Sequence, residues 1–134
     1  MAGKLIADQI EHSTAGSLDT QYVVNGSAKC WANINGSGPT VFRDSFNCSS
    51  LTDAGTGLTF PISFTSSMSN ANYVGSYYTD AEQNGTDPAP YNSFNNDYAG
   101  GLGSKTTASF GVASYSGAWV DATMNDAIIQ GDLA

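Results

Sequence analysis

Hydrophobic and polar residues alternate with a period of two along much of this chain, beginning at Ala28. In residues 28–34, small or apolar residues take every second position, and Trp31 lies in the other set. Because successive side chains of a β-strand point to opposite faces, this stretch predicts a strand with Trp31 opposite the small residues. Trp31 is then either packed on a second sheet or buried between subunits. Residues 40–47 predict the partner strand of a hairpin, with the turn in the Gly- and Pro-containing residues 36–39.

The rest of the chain predicts further short strands separated by turn residues. These strands are expected at 58–65, 72–79, 106–114, 117–123 and 126–130. In the first of them, Phe60, Ile62 and Phe64 share one face. Turn signals recur about every 8–12 residues, β-branched and aromatic residues are frequent, and no useful helical period is present. The sequence therefore predicts an all-β fold, an antiparallel β-sandwich over residues 27–134.

Residues 1–26 have a different character and predict an N-terminal arm outside the sandwich. Leu5, Ile6 and Ile10 have a loose helical spacing, and Tyr22, Val23 and Val24 predict a short strand. We interpret the arm as an attachment or assembly segment. The alternative is a frayed terminus.

Residues 80–104 form a predicted loop that is long for a compact domain, and such loops are often functional. Aromatic residues occur in it among Asn and Gly, a composition typical of binding surfaces with rigid anchors and adaptable polar groups. Aromatic planes flanked by amides and carboxylates suit sugars, which have apolar faces and hydroxyl rims. A structural strap is the alternative. The candidate receptor- or glycan-binding residues are Tyr91, Asn92, Phe94, Asn95, Asn96, Asp97 and Tyr98.

Charge excludes several classes of partner. The net charge is -8, with only four Lys and Arg residues among 134. Nucleic acids require clustered basic residues, so no nucleic-acid partner is expected, and an anionic membrane surface is disfavoured for the same reason. No apolar run has the length of a membrane span, so no membrane insertion is expected. The first residues lack the apolar segment of a signal peptide, which predicts synthesis in a cytoplasm.

The inventory of reactive side chains argues against an enzyme. The single histidine, His12, lies in the arm, so no Ser-His-Asp triad can be built within the sandwich. Most carboxylates fall at predicted strand ends and turns, where Asp side chains commonly form hydrogen bonds with the backbone. No cofactor and no zinc are expected, because Cys and His are not clustered. Asp- and Asn-rich loops can supply oxygen ligands for calcium, but the regular D-x-D-x-D-G spacing is missing, so no metal site is assigned. We interpret Cys30 and Cys48 as free thiols that act as small core residues, with a disulfide as the alternative.

Two stretches carry a resemblance to a known family. They are residues 28–36 (AKCWANING) and residues 43–57 (RDSFNCSSLTDAGTG). Together they resemble the A-K-A-W-x-N-F-N-G and R-D-S-F-N-V-S-S-I-T-D-x-G-T-G pattern in the C-terminal parts of tailed-phage tail fibre proteins, including those of cyanophages and other marine phages. The resemblance covers residues 18–79 well, covers the C-terminal segment loosely and leaves out residues 80–104. Cysteine stands twice where the pattern has a small apolar residue.

The resemblance implies a structural component of a phage tail, located in the virion and made in the host cytoplasm. Such a protein attaches through its N-terminus to other tail or baseplate proteins, assembles as a homotrimer and recognises host surface polysaccharide. A trimer would also bury the aromatic side chains of Trp31, Phe42 and Phe46. One alternative is a purely architectural connector or decoration protein that binds no receptor. Another is a polysaccharide depolymerase, but those chains are usually far longer and form a parallel β-helix.

Overall fold

The structure is a computed structural model that describes residues 3, 5–80, 91–93, 105–115 and 118–134, with only the backbone described at 91–93. Its strands are antiparallel, and the predicted all-β fold is confirmed. The elements in chain order are β1 (Gln9–His12), β2 (Gly16–Asp19), α1 (Thr20–Gly26), β3 (Ala28–Asn35), β4 (Val41–Phe46), β5 (Cys48–Gly55), β6 (Leu58–Phe64), β7 (Val74–Thr79), β8 (Tyr91–Ser93), β9 (Ser109–Tyr115) and β10 (Asn125–Gln130).

Two four-stranded sheets make up the sandwich. The first has the strand order β4-β3-β10-β7 and the second β5-β6-β9-β8. The first and last strands of the sandwich, β3 and β10, are neighbours in the middle of the first sheet, so its two ends are held together. The chain crosses from one sheet to the other between β4 and β5.

The core lies between the sheets and follows the predicted alternation. In β3 the buried apolar side chains are Cys30, Ala32 and Ile34. Lys29 is also buried and departs from the alternation, and its ammonium donates to the carbonyls of Val24 and Ser27. Opposite the apolar side chains of β3, the ring of Phe110 in β9 is fully buried and lies 5.4 Å from the ring of Phe64. Burying an apolar side chain of this size contributes about 2 kcal/mol, so this layer is a main source of stability. The other members of the cluster are Ile62, Met68, Tyr73, Val112, Ala127 and Ile129.

The prediction that Phe60 shares a core face with Ile62 and Phe64 is wrong. Ile62 and Phe64 are buried, but Phe60 is only partly buried and lies outside the core cluster. The ladder between β6 and β9 shifts register between Thr59 and Ile62. Pro61 lies within this shift and has no N–H to donate to a ladder. The strict period of two therefore fails at this position.

Three further strand assignments differ from the sequence prediction. Residues 22–24 lie in helix α1 instead of a strand. In the described part of 117–123, Trp119 forms only an isolated bridge with Tyr115. Strand β5, which the alternation did not predict, forms one edge of the second sheet and has three register shifts against β6.

The arm consists of the β1–β2 hairpin and α1. The hairpin turn is closed by His12, whose Nδ1 accepts hydrogen bonds from the backbone N–H groups of Thr14 and Ala15. Helix α1 has no buried residue. Its C-terminal end is held to the sandwich by side chains: Gln130 donates to the carbonyl of Gly26 at 2.8 Å, and Lys29 donates to the carbonyl of Val24.

Candidate binding surfaces

The segment predicted to bind glycans is attached firmly to the sandwich at both ends. At its start, Asp80 accepts hydrogen bonds from the backbone N–H of Met124 at 2.8 Å and from the Thr123 hydroxyl. At its end, the Lys105 ammonium donates to the Tyr73 carbonyl at 2.8 Å and lies 5.2 Å from the centre of the Tyr73 ring. The segment therefore leaves and re-enters the sandwich at fixed points.

The prediction of one uninterrupted loop over 80–104 is wrong, because residues 91–93 form strand β8. This strand pairs with β9 at the edge of the second sheet, with Tyr91 opposite Tyr115 and Ser93 opposite Ala113. The segment is thus tied to the sheet near its middle as well as at its ends. The side chains of Tyr91 and Asn92 lie outside the described part of the structure. So do Phe94, Asn95, Asn96, Asp97 and Tyr98, and the assignment of these residues to a glycan site remains a prediction.

An apolar row crosses the outer face of the first sheet. The register places Trp31 of β3 directly opposite Phe46 of β4 on one side and Ile128 of β10 on the other. Directly opposite residues in antiparallel strands have Cβ atoms about 5 Å apart, so the three side chains are neighbours. Trp31 is 36%, Phe46 53% and Ile128 49% exposed. We call these three residues the outer row.

The position of Trp31 disagrees with one of the two alternatives left by the sequence, packing on a second sheet. It lies on the face of its sheet opposite the buried Cys30 and Ala32, and no second sheet formed by the described residues covers it. Phe42, by contrast, packs against the core and is not part of the exposed aromatic surface. The expectation that Phe42 contributes to a subunit interface is therefore corrected, and only Trp31 and Phe46 remain for it.

The arm exposes a second apolar surface. Ile10 and Leu18 are directly opposite each other in the β1–β2 hairpin and are 49% and 46% exposed. Leu5 and Ile6 before the hairpin are more exposed still. A two-stranded hairpin is marginally stable by itself in water. A partner that covers these side chains would stabilise the arm.

An open groove of about 450 Å³ lies where α1 meets the ends of β7 and β10. Asn25, Asn72 and Asp132 line it, and their side chains make no hydrogen bond to any other described residue. Val74, which is 62% exposed, adds an apolar patch. Amides, a carboxylate and a small apolar surface are groups that can bind a sugar. Sequence analysis missed this groove because its residues come from three distant parts of the chain.

A buried polar cluster lies between the sheets, near the β7–β10 end of the sandwich. The Ser114 hydroxyl donates to the side-chain oxygen of Asn125 at 2.8 Å and lies 2.8 Å from the Tyr77 hydroxyl. Asn125 also donates to the carbonyl of Ala122 at 3.2 Å. These groups satisfy one another, which makes their burial tolerable. The adjoining cavity, of about 10 Å³, has room for one water molecule at most.

We expect the protein to lose stability in alkali because of two tyrosines, the buried Tyr73 and the partly buried Tyr77. Burial raises the pKa of Tyr73 and of Tyr77 to about 12, from about 10. Both phenols then stay protonated in the folded state after the unfolded chain has ionised. Stability is therefore fully present below pH 10 and falls as the pH rises from about 10 to about 12.

This pH dependence is testable with Tyr73→Phe. The variant loses the hydrogen bond from the Tyr73 hydroxyl to the Ser109 carbonyl, so we expect it to be less stable at neutral pH. Its stability should also fall less steeply between pH 10 and 12, because one ionising group is gone. Thermal melts followed by circular dichroism across this range measure both effects. Parallel curves for the variant and the wild type would contradict the assignment.

The described part of the chain lacks two other features. There, no three His, Cys, Asp or Glu side chains come together as a group that could hold a metal ion. Among the same residues, no helix has the length and apolar character needed to cross a membrane.

Comparisons of the chain with protein families, with curated proteins and with solved structures found no match.

Proposed function

We propose that this protein is a structural, non-enzymatic component of a phage tail fibre. Its arm binds other tail or baseplate proteins, its sandwich assembles as a homotrimer, and it contacts host surface polysaccharide through residues 80–104. The resemblance of residues 18–79 to tail fibre proteins supports this proposal. The observation that carries it is the placement of apolar surface outside the core, on the arm and on the outer row.

The arm suits attachment because its apolar side chains have no cover within the described chain. Ile10 and Leu18 pair across the hairpin and are both about half exposed. Burial of such side chains against a partner contributes about 25 cal/mol for each Å² of apolar surface. Since charged residues are only 12% of this chain, apolar contact is the main binding energy that the arm offers.

The outer row suits contact between copies of the chain. Central parts of subunit interfaces are apolar and rich in aromatic residues, with polar residues at the rim. The outer row has this arrangement. Its neighbours on the same face include Asp126, which accepts a hydrogen bond from the Asn33 amide. In a closed trimer each pairwise contact would join two different patches of the chain, and the outer rows of the three copies would lie around the three-fold axis.

The polysaccharide contact is assigned to residues 80–104 because of their aromatic and amide composition. A stacking contact between an aromatic ring and an apolar surface is worth on the order of 1 kcal/mol. One copy would therefore bind weakly. Three copies on one trimer would raise the apparent affinity through avidity.

The triple substitution Tyr91→Ala, Phe94→Ala and Tyr98→Ala tests the polysaccharide contact. We expect the purified variant to stay folded and trimeric but to lose binding to host cells and to isolated host polysaccharide. Tyr22→Ala removes an exposed tyrosine of the arm and is the matched control, which should bind normally. Pull-down with labelled polysaccharide and sedimentation velocity measure the two properties.

The same assay separates the alternatives. If the double variant Asn72→Ala and Asp132→Ala loses binding while the triple variant keeps it, the contact lies in the groove and residues 80–104 are a strap. A connector or decoration protein would show no binding even as wild type. Release of reducing ends from the polysaccharide would identify a depolymerase and overturn the non-enzymatic assignment.

A further inference from the structure

The two cysteines of the chain lie against each other. The Sγ atoms of Cys30 and Cys48 are 3.0 Å apart, and both are free thiols. Ordinary contacts between non-bonded carbon atoms are 3.5–4.0 Å, so this approach is close. Cys30 belongs to β3 in the first sheet and is fully buried, whereas Cys48 begins β5 in the second sheet and is partly exposed.

This proximity depends on the corner between β4 and β5. Face-to-face sheets are usually about 10 Å apart, too far for two cysteines to meet. Here the chain turns from one sheet to the other at Asn47, which has a φ of 57°. The Asn47 amide also donates to the carbonyl of Lys29 at 2.9 Å. Asn47, which precedes Cys48, is thus hydrogen-bonded to Lys29, which precedes Cys30. This bond places the two sulfur atoms side by side.

The two thiols differ in reactivity. The hydrogen bond from the Cys30 thiol lowers the pKa of Cys48, and the same contact, together with burial, raises the pKa of Cys30. Cys48 is therefore the sulfur that ionises first, and it is also the one that solvent reaches. A thiolate is the attacking species in thiol–disulfide exchange.

We propose that Cys30 and Cys48 form an intrachain disulfide that links the two sheets when the protein meets a small-molecule disulfide such as oxidised glutathione. The Cys48 thiolate attacks one sulfur of glutathione disulfide, whose S–S bond breaks and releases one glutathione thiolate. Cys30 then gives its proton to that thiolate and attacks the Cys48 sulfur, which releases the second glutathione. Two protein thiols are oxidised, and one glutathione disulfide is reduced to two thiols.

The link should stabilise the fold. The two cysteines are 18 residues apart, so the disulfide would close a loop of this size in the unfolded chain. Loops of about this length give a stabilisation that raises the Tm of a small domain by roughly 10 °C. This gain is independent of the proposed role in a phage tail.

The experiment uses the full chain, reduced with dithiothreitol, desalted and then incubated with oxidised glutathione or with buffer alone. We expect the oxidised sample to lose the mass of two hydrogen atoms, to yield a Cys30–Cys48 cross-linked peptide and to melt roughly 10 °C higher. Cys30→Ala should stop at the mixed disulfide of Cys48 with glutathione. Cys48→Ser should show neither the mass change nor the rise in Tm.

Three results would overturn the proposal. One is a wild-type protein that accumulates the mixed disulfide without closing the intrachain bond. Another is a covalent dimer on a non-reducing gel in place of the intrachain product. The third is an oxidised protein whose Tm equals that of the reduced protein.

Discussion

If the sandwich assembles as the proposed homotrimer, the double variant Trp31→Ser and Phe46→Ser should sediment as a monomer at a micromolar concentration at which we expect the wild-type protein to be trimeric. The two side chains are already 36% and 53% exposed in the single chain and lie outside the core cluster, so their removal leaves the core of the sandwich in place. They lie directly opposite each other, with Trp31 in the middle of the outer row and Phe46 at its end on the edge strand β4. Aromatic residues at the centre of an interface often contribute about 2 kcal/mol or more each, which is more than tenfold in Kd.

The control for this variant is Leu133→Ser. Leu133 is 42% exposed and lies near the C-terminus, outside the outer row, so its loss should leave the trimer intact. Sedimentation velocity gives the assembly state, and circular dichroism verifies that each variant is folded. A wild-type protein that sediments as a monomer would contradict the homotrimer. A double variant that stays trimeric would place the interface elsewhere.

The second large effect is expected at Asn47, the corner residue between the sheets. Its side chain donates to the carbonyls of Lys29 at 2.9 Å and Ser66 at 3.1 Å, and accepts from the Ser66 N–H at 2.7 Å. Each such bond contributes about 1 kcal/mol. The φ of 57° costs an alanine about a further 1 kcal/mol, whereas Asn and Gly tolerate it. Asn47→Ala should therefore lower the free energy of unfolding by about 4 kcal/mol.

Asn47→Gly is the matched control, because it removes the same hydrogen bonds and keeps the backbone tolerant of positive φ. We expect it to be more stable than Asn47→Ala by about 1 kcal/mol. Urea denaturation of the three proteins measures the differences. If the glycine variant is no more stable than the alanine variant, backbone strain at this corner is not a factor. If both match the wild type, the corner contacts contribute nothing to stability.

The sequence alone was sufficient to predict the strands where the local alternation agrees with the observed burial. Strands β3 and β4 lie within a residue or two of their predicted bounds, because small or apolar residues take every second position in β3 and a Gly- and Pro-containing turn separates the two strands. The same alternation predicted that Trp31 lies opposite the small core residues. It failed at Phe60, where Pro61 lies within a register shift that no periodic pattern shows.

Local propensity misled where tertiary partners decide the structure. Tyr22 and the β-branched Val23 and Val24 favour a strand. A strand needs a neighbouring strand to pair with its backbone groups. This stretch instead lies in helix α1. Residues 48–55 are rich in Ser, Thr, Asp and Gly, a composition that does not favour a strand. They nevertheless form strand β5 at the edge of the second sheet, because β6 pairs with them. Both outcomes depend on which strands are available to pair.

The sequence by itself determined the all-β class, the alternation that builds the core, and a chemistry with one histidine and few charges. It also singled out the aromatic residues of 80–104, whose role remains a prediction. Only the tertiary structure set β8 within that segment, joined Asn25, Asn72 and Asp132 in one groove, and placed the sulfur atoms of Cys30 and Cys48 in contact. The physical reason is that alternation fixes the face on which a side chain lies. The crossings between sheets decide which distant faces meet.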